Sequence, residues 1–132
     1  MDILFPDRDV SALVSNPGSI ISKLVYGKTS VMFTGDATLQ TEEYIVDLDG
    51  GFTKSTLLKE GHHGSRTSAS EKFFTAVAPQ YDIISAGYKN KYGHPHKETI
   101  DLLNQLHIPT LITFKEGTIV FVSDGKSFVR KR

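Results

Sequence analysis

The sequence predicts a mixed α/β layer structure, with a strand hairpin followed by alternating helices and strands. Two apolar runs separated by a three-residue Gly-containing turn supply the hairpin. Downstream, helix-period and strand-period segments take turns, with no internal repeat and no low-complexity tract. Polar clusters close several of the apolar runs, the arrangement by which an open sheet carries a site at its strand ends.

Ile20–Tyr26 and Ser30–Thr34 are predicted strands, and Gly27-Lys28-Thr29 is the turn that pairs them. Ala37–Leu48 contains good helix formers and is predicted to end at Gly50-Gly51. Ser55–Lys59 is a short strand leading into Gly61-His62-His63-Gly64-Ser65. Ser68-Ala69-Ser70-Glu71 has capping-box spacing, and Phe73, Phe74 and Val77 form an apolar stripe on the helix behind it, which Pro79 stops. Tyr81–Ser85 is the next strand, followed by a polar loop over 86–96 and a helix over 97–107. Pro109–Thr113 is a strand, Thr118–Val122 pairs with it or lies near it, and Ser127–Val129 is a final edge strand.

A chain of 132 residues accommodates one domain with a real core. It contains no cysteine, which removes disulfides, thiolate metal sites and cysteine nucleophiles. No run approaches the ~18 apolar residues of a membrane span. The start lacks the basic flank and apolar core of a signal peptide. Net charge is zero, but acids concentrate between Asp36 and Gly50, whereas Lys54, Lys59, Arg66, Lys72, Lys89, Lys91 and Lys97 accompany the histidines. Lys126, Arg130, Lys131 and Arg132 make a basic tail. A polyanionic substrate would be drawn to the basic stretch.

Four of the five histidines fall in two pairs, His62/His63 and His94/His96. Thr34-Gly35-Asp36 ends a strand; alone it is an ordinary turn, but a carboxylate placed there can also bridge two cations. His62-His63 lies between glycines that permit close backbone approach, and imidazole is the commonest side-chain metal ligand. Ser65 and Arg66 follow and can hold a phosphate oxygen. In Tyr92-Gly93-His94-Pro95-His96, Pro95 stiffens the backbone beside His94. His96 precedes a helix and is assigned a capping position, and His107 a structural place at the helix end. No nucleophile elbow, phosphate-binding Walker loop or dinucleotide fingerprint is present.

Together, Asn16-Pro17-Gly18-Ser19, Phe33-Thr34-Gly35-Asp36, Gly61-His62-His63-Gly64-Ser65 and Asn90-Lys91-Tyr92-Gly93-His94-Pro95 resemble the metallo-β-lactamase superfamily. The branch they most resemble is the hydrolase domain of ComEC-type DNA-uptake proteins, in the family's order from about Leu4 to about Val122. The resemblance implies an αββα sandwich and water-driven, divalent-metal hydrolysis of DNA or another phosphodiester, with zinc or manganese as the metal. By carry-over, Asp36 would be the bridging carboxylate, and His94 and one histidine of the doublet metal ligands. The assignment made is His62 on the metal, with His63, Ser65 and Arg66 facing the substrate. The superfamily's His-x-His-x-Asp-His or His-x-Asp-x-Asp-His loop does not occur, since no histidine precedes His62.

Residues 1–132 are therefore expected to form one partial domain, the C-terminal half of the sandwich. Another chain supplying the N-terminal half, or a second copy, would cover its open sheet face. Two other functions fit the same residues: a non-catalytic remnant or module that binds nucleic acid, and a metal-dependent esterase acting on a small phosphoester.

Overall fold

In the computed structural model, residues 1–68 and 70–131 are described. Ala69, inside the predicted cap, and Arg132, in the basic tail, lie outside them. Six strands, β1 (Asp2–Phe5), β2 (Ile21–Tyr26), β3 (Thr29–Phe33), β4 (Leu57–Lys59), β5 (Tyr81–Ile84) and β6 (Thr110–Ile112), form one sheet in chain order. β1 to β3 run antiparallel, and β3 to β6 run parallel. Helices α1 (Leu39–Thr53), α2 (Glu71–Val77) and α3 (Lys97–Gln105) are the three crossovers of the parallel part. After β6 comes one helical turn, α4 (Thr113–Glu116), and then a separate two-stranded sheet, β7 (Val120–Ser123) with β8 (Phe128–Lys131). The predicted mixed α/β layering is borne out.

Side chains alternate across the strands, so the register assigns each to a face. Ile21, Met32, Leu58 and Ile84 join Phe73, Phe74, Val77, Leu103 and Ile45 in one buried cluster, which places the helices on that side. The opposite face carries Leu24, Tyr26, Val31, Phe33, Leu57 and Tyr81. The β7–β8 hairpin reaches this face through Phe121, 5.6 Å from the Tyr81 ring, and a Thr29–Ser123 hydroxyl contact of 2.7 Å. Leu57 is accordingly buried, whereas Leu24, Tyr26 and Phe33 stay exposed at 42%, 60% and 36%.

Several boundaries differ from expectation for local reasons. β1 gives no sequence signal of its own, because four residues become a strand only through pairing with β2. α1 does not stop at Gly50-Gly51; its helical path breaks at Asp49, which has extended φ/ψ, and resumes to Thr53. The cap of α2 is Ser70, whose hydroxyl accepts from the Phe73 N–H, and not Ser68. Ser68 instead donates to the Gly61 and Ser65 carbonyls. β7 pairs with β8 rather than with β6, since α4 and the left-handed Gly117 carry the chain off the main sheet.

The β2–β3 hairpin closes through only Gly27 and Lys28. Gly27 has φ +60°, as the first central residue of a tight hairpin turn requires. It is also packed so closely that an added Cβ would lie 2.2 Å from the Gly125 carbonyl oxygen.

One part of the core is not apolar. Glu60, just past β4, and Asp82, in β5, are buried to 1% and 0% exposure on the helix side of the sheet. Neither Glu60 Oε1 nor either Asp82 oxygen has an ordinary hydrogen-bond donor. Burial pushes the Glu60 carboxyl far above the usual carboxylate range, and the charges of Asp82 and Glu42 push it further. Burial likewise raises Asp82, to about 7, although a bond from Glu60 and the charge of Lys59 oppose the rise. A proton held by Glu60 and donated to Asp82 answers both groups, because two carboxylates this deep do not both ionise at neutral pH.

Candidate active site

Three loops leave the carboxyl ends of adjacent parallel strands, and each carries one polar cluster. The loop after β3 turns at Gly35, φ +55°, and presents Asp36. The loop after β4 is a short 3-10 turn, Gly61–Gly64, with His62 and His63 both in the left-handed region at φ 44° and 58°. Each such non-glycine residue costs on the order of 1–2 kcal/mol, a strain seen mainly where a site demands it. The third loop, 86–96, follows β5 and carries Tyr92 and His94.

The loops are stitched to one another by backbone groups. The His62 N–H donates to the Gly35 carbonyl at 2.9 Å, and the His96 N–H to the Gly64 carbonyl at 2.9 Å. Gly61 fits closely against Thr34, Glu42 and Ser68, so a side chain there would meet all three. Asn90 organises the third loop. Its Oδ1 accepts from the Tyr92 and His94 N–H groups, and its Nδ2 donates to the Gly87 and His94 carbonyls. Asn90→Ala removes all four bonds; we expect a loss of about 1–3 kcal/mol in urea unfolding and faster amide exchange confined to 86–96.

The imidazoles of His62, His63 and His94 form a triangle with ring centroids 5.5 to 6.5 Å apart. His63 Nδ1 lies 2.8 Å from the Ser85 carbonyl, which can only accept, so the N–H is on Nδ1. In that tautomer Nε2 has the lone pair, and it lies 3.8 Å from Asp36 Oδ1. A histidine whose second nitrogen donates to a carbonyl is oriented as metal-ligating histidines are. His62 differs: its Nε2 is 3.4 Å from Asn16 Nδ2, and its Nδ1 is 3.3 Å from Thr67 Oγ1. His62 thus has a polar side chain near each ring nitrogen, whereas His63 Nε2 faces Asp36. The His94 pKa is held below the ordinary histidine value by burial, and then by the neighbouring His96, His62 and His63. The shift favours the neutral ring, the form that can give a lone pair to a cation, although the Asp36 charge opposes it.

Ser65 and His96 both bond to the loop segment 66–67. Ser65 does not face solvent: it is 3% exposed, and its hydroxyl is 2.9 Å from that of Thr67 and accepts from the Thr67 N–H. It holds the loop that presents the histidines. His96 occupies the residue before α3 but makes no side-chain cap; its Nδ1 accepts from the Arg66 N–H at 3.1 Å. The basic stretch is also less uniform than its composition implies. Arg66, Lys72 and Lys97 are paired with Glu98, Asp47 and Asp101. Lys89 and Lys91 lie over the Tyr88 and Tyr92 rings instead. Asn16, Thr67, Ser85 and Asn90 are the positioning groups that residue-type reasoning passed over. Asn16 and Asn90 lay inside the recognised motifs, whereas a backbone carbonyl such as that of Ser85 has no sequence signal.

Among the described residues, no three His, Asp or Glu side chains gather their donors as one metal ion needs. The donor chemistry suits a divalent cation, but the set is short of the three or four protein ligands such an ion takes.

The sequence profile described as the metallo-beta-lactamase superfamily matches residues 7–88, which include Asp36, His62, His63 and Ser65. Among characterised proteins the chain is similar to ComE operon protein 3 of Bacillus subtilis (strain 168), 36% identical over 119 residues, 90% of this chain and 15% of that protein. It is 37% identical over 106 residues to competence protein ComA of Neisseria gonorrhoeae, covering 80% of this chain and 15% of that one. It is 36% identical over 103 residues to recombination protein 2 of Haemophilus influenzae, covering 78% and 13%. The chain thus spans about 15% of the length of the first two relatives.

Proposed function

The chain belongs to the metallo-beta-lactamase superfamily, and on that premise we propose that it is part of a metal-dependent hydrolase domain acting on DNA or another phosphodiester. The observation that carries this is the meeting of Asp36, His62, His63 and His94 at the ends of three neighbouring strands, with His63 Nε2 turned toward Asp36. The competence and recombination names of the relatives support a nucleic-acid substrate.

In this assignment Asp36, His94 and one or both histidines of the doublet are part of a ligand set for zinc or manganese. The missing ligands come from a segment bearing a His-x-Asp-x-Asp-His loop outside these 132 residues, on the same polypeptide or another. That segment would also cover the exposed Leu24, Tyr26 and Phe33. A divalent pair, once bound, supplies an acidified water and a clamp for the phosphate. The chain's own contributions are orientation and charge. Asn90 and the Ser85 carbonyl fix the two loops, Ser65 holds the doublet, and Arg66, Lys89 and Lys91 draw the polyanion.

The test is Asp36→Ala in a preparation completed with such a segment. Divalent-dependent cleavage of a phosphodiester should fall at least about 100-fold, since removing mere support groups at metal sites already costs 10–100-fold. Undiminished cleavage would sink the assignment. The absence of a gathered three-ligand set among the described residues favours one other function, a non-catalytic module that binds nucleic acid through its basic surface. Its binding would be salt-sensitive and indifferent to chelator.

A further inference from the structure

Loop 86–96 carries more than His94. Tyr88 and Tyr92 are 70% and 64% exposed, unusual for two large rings on one loop held rigid by Asn90. Tyr92 is near parallel to His94, with centroids 5.8 Å apart and planes 22° apart. His94 is in turn near parallel to His63, at 6.2 Å and 23°. The three rings therefore make a near-parallel tier that reaches from the candidate centre to the largely exposed Tyr92. Beside the tier is a cleft of about 480 Å³ lined by His63, Gly87, Asn90, Tyr92, His94 and Thr113. Lys91 Nζ is 4.9 Å from the Tyr92 centroid, and Lys89 Nζ is 5.3 Å from that of Tyr88. No carboxylate is in ion-pair reach of either lysine among the described residues.

We propose that Tyr92, seconded by Tyr88, is a stacking platform for an unpaired nucleobase of a single-stranded polynucleotide, next to the phosphate held at the histidine cluster. This rests on the phosphodiester assignment and adds which strand form the site takes. Each tyrosine with its adjacent lysine matches one nucleotide, a flat base on the ring and a phosphate on the ammonium. An ammonium over an exposed ring is held less firmly than a stacked base, so the lysine heads give way and move to the backbone. A base in a duplex has both faces covered by its neighbours, which leaves the platform nothing to stack on.

The probe is an oligothymidylate of about ten nucleotides, compared with an abasic deoxyribose-phosphate chain of equal length and with the same sequence as a duplex. Binding to the intact 132-residue chain is followed at low salt with chelator present. The chain has no tryptophan, so its emission comes from five tyrosines, and the difference between wild type and Tyr92→Ala reports stacking on Tyr92. Oligothymidylate is expected to bind about tenfold more tightly than the abasic chain and to quench tyrosine emission. Tyr92→Ala should erase that preference, whereas Tyr92→Phe, which keeps the ring, should retain it. Equal binding of base-bearing and abasic strands, an equal or greater affinity for duplex, or a preference that survives Tyr92→Ala would overturn the platform and leave the phosphodiester assignment standing. Failure of all three polyanions to bind would count against that assignment itself and would remove the platform with it.

Discussion

Asp82→Asn is expected to stabilise the folded chain by about 2 kcal/mol near pH 8 and by much less near pH 5. In the folded protein Asp82 titrates at about 7, against 3.8 for the free group. A raised carboxyl holds its proton longer when folded than when unfolded, so its contribution is fully present below pH ~3.8 and is lost as pH climbs to ~7. A rise of that size sets a ceiling of about 4 kcal/mol. The proton is shared with Glu60, so only part of that belongs to Asp82. Asparagine keeps the shape, accepts from the protonated Glu60 and removes the titration. Urea unfolding at both pH values checks this: wild type should lose more stability between them than the variant, in which Glu60 alone of the pair still titrates. A wild-type stability that is flat over the interval would refute the shared proton.

Gly64→Ala should cost about 2–4 kcal/mol and disable the site together with the fold around it. Gly64 has φ +80°, and an added Cβ would stand 2.7 Å from Pro95 Cβ and 3.3 Å from Ile84 Cγ2. Neither neighbour can yield easily, since Pro95 is a ring and Ile84 belongs to the sealed core. Relief must come from separating the doublet loop from loop 86–96. That breaks the His96 N–H to Gly64 carbonyl bond and moves His94 away from His62 and His63. Denaturant midpoints give the loss of stability. Chemical shifts of the three imidazoles give the displacement, and shifts equal to wild type would rule it out.

The parallel half of the sheet was legible because its strands are short apolar runs with clear punctuation: Gly35 and Gly61 follow β3 and β4, and Pro79 separates α2 from β5. Site residues carried by unusual types were legible for the same reason, since His62, His63 and His94 stand out in a chain with few histidines. β1 and the break at Asp49 were not, because pairing partners and tertiary contacts decide them rather than local preference. The surroundings within the doublet were also hidden. His62 and His63 have the same side chain and neighbouring backbones, and the fold alone sets their different partners, Asn16 and Thr67 for the first and the Ser85 carbonyl for the second. The burial of Ser65 had no sequence signal either, because it depends on Thr67 satisfying a hydroxyl that can then be enclosed at little cost.

The stitched loops rest on a core that takes from them only small side chains, Ala37 and Ala86. His63, Tyr92 and Arg66 are largely in solvent and Asp36 is half-buried, while Phe73, Phe74, Met32 and Leu103 carry the packing. Mutation can therefore rewrite the exposed set almost without penalty to folding. A lineage that ceased to use this centre would lose its histidines by drift long before it lost its architecture, and one adopting a new substrate could replace them one loop at a time.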